Sequence, residues 1–198
     1  MKDTKQKILD AASALFLDGG AAALSVRAIA GRAELSTIGI YSHFKGKQGI
    51  LDALYTEAAE MVSAAMETGN ATEDPKQAMM ASTSAYIDFA TNHAAHYRLF
   101  FGDSDASYLP GDVAQGAAHA AYKKLLRHAA LFLPKGSTPA KIQEIALGFW
   151  ALLHGFIGLT RHPVASHSGV ADWRGLILRT AESHVDAILG QNQPGQSD

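Results

Sequence analysis

The chain has 198 residues, of which 47 % are hydrophobic and 18 % charged, enough to bury a core in one domain or two small ones. It has no cysteine, which excludes disulfides, thiol catalysis, iron–sulfur ligation and thiolate zinc sites together. The formal net charge is −2, unevenly spread: residues 1–50 hold 7 Lys/Arg and 4 Asp/Glu, whereas the remainder holds 10 and 15, so a basic first quarter (net +3) precedes an acidic body (net −5) and two separate jobs are expected.

In chain order, "MKDTKQKILDAASALF" contains lysines but neither a continuous apolar run nor a small-residue cleavage site, so no signal peptide is expected. No window offers the run of ~18 apolar residues that a membrane span requires, and the expectation is a soluble, cytoplasmic protein. Between Thr4 and Leu17, Ile8, Ala12, Leu15 and Phe16 share one face with Leu9 beside it, an amphipathic helix stopped by "DGG" at 18–20. Ser25 caps a short helix over Val26–Ala33, and Ser36 caps another over Thr37–Phe44. A long helix is predicted from Lys47 to about Thr68. Asp74 and Pro75 open the next, to about Asn92. "HAAHYRLFF" forms a short helix ending at Gly102. Further helices are expected over Asp112–Leu133, from Thr138–Pro139 to about His162, and from about Gly169 to Leu189. The result is an all-α chain of about nine helices with no persistent strand alternation. Residues 1–46 read as a three-helix, helix-turn-helix domain, 47–189 as a helical ligand-binding and dimerisation domain, and 190–198 as a disordered tail.

The stretch "SVRAIAGRAELSTIGIYSHF", residues 25–44, carries the first functional reading. A helix-turn-helix needs a first helix against the DNA backbone, a tight turn, and a second helix whose N-terminal part enters the major groove. Ile29, Ala30 and Ala33 suit the packed side of the first helix, Leu35 the turn, and Ile40 and Phe44 the buried side of the second. Thr37, Ile38, Tyr41 and Ser42 then face outward. Ser36 and Thr37 sit where free backbone N–H groups favour a phosphate, and Tyr41, His43, Lys45 and Lys47 add donors just beyond. Ser25 and Arg27 at the start of the first helix join the DNA-binding set, with Arg27 able to reach a phosphate or guanine. A competing reading makes these helices merely structural in a helical ligand-binding or catalytic protein. Salt separates the two, because only a DNA reader loses affinity steeply as salt rises.

"YSHFKGKQGILDAL" resembles the signature of the TetR family, and upstream "KQKILDAASALFLDGGAAALSVRAIAGRAELS" is similar to the rest of that family's DNA-binding domain. The resemblance covers roughly residues 5–54. Downstream, "YRLFF" at 97–101 and "ALGFWALLHGFIGL" at 146–159 are similar to C-terminal domains of a branch with a Trp/His-Gly motif. The resemblance implies a homodimer that binds a pseudo-palindromic double-stranded operator, represses by default, and is released by a small-molecule effector. Two departures stand out. Glu34 replaces the glycine common at the end of the first motif helix, where a left-handed backbone is then required of a non-glycine residue. Gly39 lies inside the recognition helix at a cost of about 1 kcal/mol relative to Ala, and permits close approach to DNA or to a neighbouring helix.

In the acidic body, Gly148, Ala151, Gly155 and Gly158 fall at steps of three, four and three and make a small-residue stripe that admits another helix closely. With Trp173, Ile177, Ala181 and Val185 of the last helix it is the candidate dimer seam, the alternative being packing inside one subunit. A symmetric pair would place two recognition helices about 34–36 Å apart, one DNA turn. For the effector, expected to be small and apolar or aromatic, the candidates are Phe89, His93, Tyr97, Phe100, Phe101, Trp150 and His154; aromatics at helical spacing are more often core than cavity lining, and His154 reads most simply as a core histidine bonded to a carbonyl. The effector is expected between the long Lys47–Thr68 helix and the middle helices, moving that helix and the DNA-binding domain with it. No G-x-S-x-G, Walker loop, dinucleotide fingerprint or H-E-x-x-H occurs, so no enzyme and no cofactor are expected. His93 and His96, three apart, lack a carboxylate cluster to complete a metal site.

Overall fold

The computed structural model describes residues 3–102 and 108–191. Among them the helices are α1 (Thr4–Gly19), α2 (Val26–Arg32), α3 (Thr37–His43), α4 (Gly46–Glu67), α5 (Pro75–Asn92), α6 (Ala94–Phe101), α7 (Asp112–Ala130), α8 (Pro139–Arg161) and α9 (Trp173–Gln191), with short 3-10 turns at Gly20–Ala23, Thr68–Ala71 and Pro163–His167. The described residues contain no strand, and the all-α expectation holds. Most of the expected tail, 192–198, lies outside the described residues, while α9 extends through Gln191.

Helix starts follow the caps. The Asp74 carboxylate accepts from the N–H groups of Lys76 and Gln77 at 2.8 and 3.3 Å, ahead of Pro75, whose missing N–H costs nothing at a first helical position. Thr138 does the same for α8, accepting from Lys141 N at 3.3 Å. Two ends differ most from expectation. α7 stops at Ala130 rather than Leu133, because the next N–H groups reach back only three residues, to His128, Ala129 and Ala130. α9 begins at Trp173 rather than near Gly169, because the Asp172 carboxylate captures the N–H of Gly175 at 2.8 Å.

The described residues cluster into two compact units, one from 3–61 with 91–121, the other from 62–90 with 122–191. The first is built on α1, whose Ile8, Leu9, Ala12 and Phe16 are buried with Ile29, Ala30 and Ile40 of α2 and α3 and Ile50, Leu51 and Leu54 of α4. Ala95 and Leu99 of α6 and Tyr108 join the same core. The first unit runs past residue 46 into α4, whose Ile50, Leu51 and Leu54 lie in this core. In the second unit Met79, Phe132, Ile145, Ala146, Phe149, Val185 and Ile188 form the core, with the Phe149 ring 4.9 Å from that of His184. α5 and α9 are laced at the surface: Lys76 reaches Glu182 and Asp186 at 3.0 and 2.8 Å, and Arg174 donates to both oxygens of Asp88 at 2.6 and 3.2 Å.

α8 corrects one expectation. By length and composition alone it is apolar enough to cross a membrane, with a mean hydropathy of 1.4 over 18 residues, because glycine, histidine and threonine interrupt its apolar run without adding charge. Only 28 % of that window is buried. Ile145, Ala146, Phe149, Leu153 and Ile157 point inward, whereas Leu147, Trp150, Ala151, Gly155, Gly158 and Leu159 are exposed.

Candidate nucleic-acid interface

α2 and α3 are each only seven residues long, too short to persist alone, and are held by caps and core contacts. The Ser25 hydroxyl accepts from Ala28 N at 3.1 Å and the Ser36 hydroxyl from Gly39 N at 3.1 Å, each bond worth roughly 1 kcal/mol. Between the helices Glu34 takes φ +56° and is, among the described residues, the one non-glycine with positive φ. This is the left-handed position foreseen for it. Its N–H donates to Gly31 O at 3.3 Å and that of Leu35 to Ala30 O at 2.9 Å, the paired closure that satisfies the last carbonyls of a helix. Leu35 packs on the core, fixing the angle at which α3 leaves.

The inward residue of α3, Ile40, is fully buried, and Phe44 packs on the same core. Outward, Thr37, Ser42 and His43 are exposed, Ile38 is 79 % exposed and Tyr41 62 %. The Tyr41 ring lies against the α3–α4 turn: a Cβ on Gly46 would stand 3.3 Å from its Cε1, and Gly46 itself has φ +78°, a conformation costly for any residue with a side chain. Arg27, at the start of α2, and Lys45 are exposed on the same helix-turn-helix.

Lys47 does not fit its expected place. It is half-buried, and its ammonium donates to the Ala21 carbonyl at 3.2 Å, tying the first turn of α4 to the 3-10 turn after α1. This inward bond was not visible from sequence because its partner is a backbone oxygen 26 residues away. A second group of residues was also missed. The Asp52 carboxylate accepts from Tyr108 OH at 3.0 Å, Gly111 N at 3.1 Å and Gln48 Nε2 at 3.1 Å, and Gln48 also donates to Leu109 O at 2.9 Å. Burial first, then the bond to Asp52, push the Tyr108 phenol well above its usual value, so it remains a donor. Nearby, His96 of α6 lies 3.0 Å from Glu57 of α4, and the Arg98 guanidinium stacks over Phe16 at 5.4 Å. The helix that follows the candidate reading helix is thereby strapped to α6 and to the segment leading into α7.

The other candidates scatter. Tyr97, Phe100 and Phe101 cluster in the first unit through tilted and edge-on ring contacts with neighbouring centroids 4.7–4.8 Å apart, Phe100 also meeting Tyr55 at 4.8 Å, and His93 is exposed beside His96. Phe89 is buried in the second unit against Tyr86, His154 is half-buried, and Trp150 stands on the open face of α8. Of the expected dimer residues, Ala151, Gly155 and Gly158 are exposed and Gly148 half-buried. Ile177, Ala181 and Val185 are closed to a partner, being only 1 %, 0 % and 0 % exposed: the apolar stripe of α9 faces its own subunit. Trp173 is half-buried. Among the described residues no three His, Asp or Glu gather as a metal site.

Two short helices joined by a left-handed turn, with an open second helix, define a helix-turn-helix protein. Residues 8–54 match the family model described as bacterial regulatory proteins, tetR family, and residues 79–169 match the tetracyclin repressor-like C-terminal domain. The chain belongs to the TetR family, a family of DNA-binding transcriptional regulators rather than enzymes. It is 32 % identical over 100 residues to the transcriptional activator FasR of Mycolicibacterium smegmatis, covering 50 % of this chain and 46 % of that protein. With the probable regulator YttP of Bacillus subtilis it shares 31 % identity over 93 residues, 46 % of this chain and 45 % of that one. The matched stretch thus spans about half the length of these curated relatives. In fold it is similar to a tetR-family regulatory protein from Rhodococcus, with TM-score 0.71 at 20 % identity over 99 % of this chain and 100 % of that one. It is also similar to PfmR of Thermus thermophilus, with TM-score 0.67 at 18 % identity over 98 % and 100 %.

Proposed function

We propose that this protein is a cytoplasmic, ligand-responsive repressor that grips a pseudo-palindromic double-stranded operator as a homodimer and lets go when a small apolar or aromatic effector binds. The observation that carries the reading is the outward face of α3, Thr37, Ile38 and Tyr41, held open at the end of a capped two-helix motif with Arg27, His43 and Lys45 around it. In this reading residues 1–46 bind DNA, and 47–189 bind the effector and the partner subunit.

The phosphate contacts come from Arg27, Lys45 and the Ser25, Ser36 and Thr37 hydroxyls, whose protons stay available for donation. Lys47 acts indirectly, by fixing the start of α4. Dimerisation uses the outer stripe of α8, Leu147, Ala151, Gly155 and Gly158 with Trp150 beside it. An exposed apolar helix face of that length favours association, and its small residues allow two such helices to cross closely. The effector candidates that remain are His93, Tyr97, Phe100 and Phe101 in the first unit, and separately Phe89 and His154 in the second. An effector acts by preferring one conformation of the chain over the other, and the straps from Asp52 to the segment before α7 and from Glu57 to α6 are the contacts through which α4 can be moved together with them.

Selection of bound duplexes from a random pool tests this directly. The proposal predicts recovery of inverted repeats with centres one helical turn apart, bound by two chains each. Recovery of no enriched sequence at low salt contradicts it.

A further inference from the structure

The recognition face carries more than a helix needs. α3 has seven residues, so propensity matters in it, yet Ile38 is β-branched and Gly39 is among the poorest helix formers. Nothing inside the protein calls for either. Ile38 is 79 % exposed. A Cβ on Gly39 would meet only the Ser36 hydroxyl and the Leu35 Cβ, at 3.6 and 3.9 Å, which is ordinary contact. Tyr41, three residues on from Ile38 and so on the same side of the helix, is 62 % exposed and leans away over Gly46, leaving the Ile38 side chain uncovered beside a residue with no side chain.

Resting on the proposed DNA reading, we infer that Ile38 is a specificity-determining residue that selects a thymine in each operator half-site by packing on its C5-methyl group. The branched butyl side chain of Ile38 has no donor or acceptor, so it cannot recognise the hydrogen-bonding edge of any base. In the major groove the thymine methyl is the one apolar feature that base edges present. Gly39 lets the helix backbone approach the duplex closely enough for a side chain of this length to reach the groove floor, where a Cβ would hold it off. Cytosine, which lacks the methyl and offers an amino donor instead, leaves that donor facing hydrocarbon and is discriminated against.

The test uses the full-length protein and the duplexes recovered by selection, resynthesised with deoxyuridine replacing one thymine at a time. Deoxyuridine removes the methyl and keeps the base pair. For the wild-type chain, one thymine position per half-site is expected to show a loss of about fourfold when replaced, the value of one buried methyl. Ile38→Ala, at an exposed position that leaves the fold intact, is expected to bind thymine and deoxyuridine duplexes equally while keeping the salt dependence of the wild type. Wild-type indifference to deoxyuridine at every position overturns the inference and leaves the DNA-binding proposal standing, as does an Ile38→Ala variant that still distinguishes the two bases. Failure to enrich any duplex overturns both.

Discussion

At Glu34 a carboxylate-bearing residue occupies φ +56°, a region that costs a residue with a Cβ roughly 1–2 kcal/mol. Glu34→Gly is therefore expected to raise stability by up to about 1 kcal/mol, the remainder being offset by the greater unfolded-state freedom of glycine, and to tighten binding to any duplex by removing a negative charge from the helix-turn-helix. Urea denaturation and a binding titration check the two halves separately. Glu34 was readable in advance because left-handed helix ends follow from local chemistry. Lys47 was not, and its neighbour Lys45 shows why: the two lysines are alike in the string, but one is exposed and the other donates to Ala21 O. Lys47→Met is expected to lower the stability of the first unit, whereas Lys45→Ala leaves stability unchanged and weakens every DNA sequence alike; thermal unfolding beside a binding series tells them apart.

Among the elements, starts were legible wherever a cap and a proline coincide, as at Asp74–Pro75 and Thr138–Pro139. The direction in which an apolar stripe faces was not. α8 is apolar on both sides, so the residues that point inward, Phe149 and Leu153, look no different in sequence from the outward Leu147 and Trp150. α9 has a single apolar stripe, and its own subunit buries it. The strap from α4 to the segment before α7 depends on partners 56 and 59 residues from Asp52, and no local pattern announces it. Asp52→Ala removes the acceptor of the part-buried Tyr108 hydroxyl and is expected to cost about 1–3 kcal/mol, measured by urea unfolding.

α7 supplies a pH dependence. Burial first, then Arg127, hold the His128 imidazole below its usual value. As pH falls the unfolded chain binds that proton before the folded one does, so the contribution is complete above the ordinary imidazole pKa of about 6.5 and is lost progressively below it. His128→Gln is expected to flatten the decline in stability between pH 7 and pH 5 relative to the wild type. Parallel urea midpoints across that range decide the matter, and identical slopes would remove His128 from the account.

For the whole molecule, the asymmetry of charge already divided a basic N-terminal quarter from an acidic body, and the open face of α8 suggests where a second copy joins. Gly155 has no atom within 4 Å of an added Cβ, so Gly155→Arg leaves the subunit intact while placing a charge in the proposed seam. It is expected to sediment as a folded monomer. The most direct measurement of the central claim is the affinity of the full-length protein for a selected duplex as a function of salt, with Arg27→Ala alongside. A steep loss of affinity is predicted, about 0.9 in the logarithmic slope for each phosphate neutralised, made shallower by about two units when Arg27 is removed from both subunits of the dimer. A flat dependence for the wild type would contradict the claim that this helix-turn-helix grips DNA.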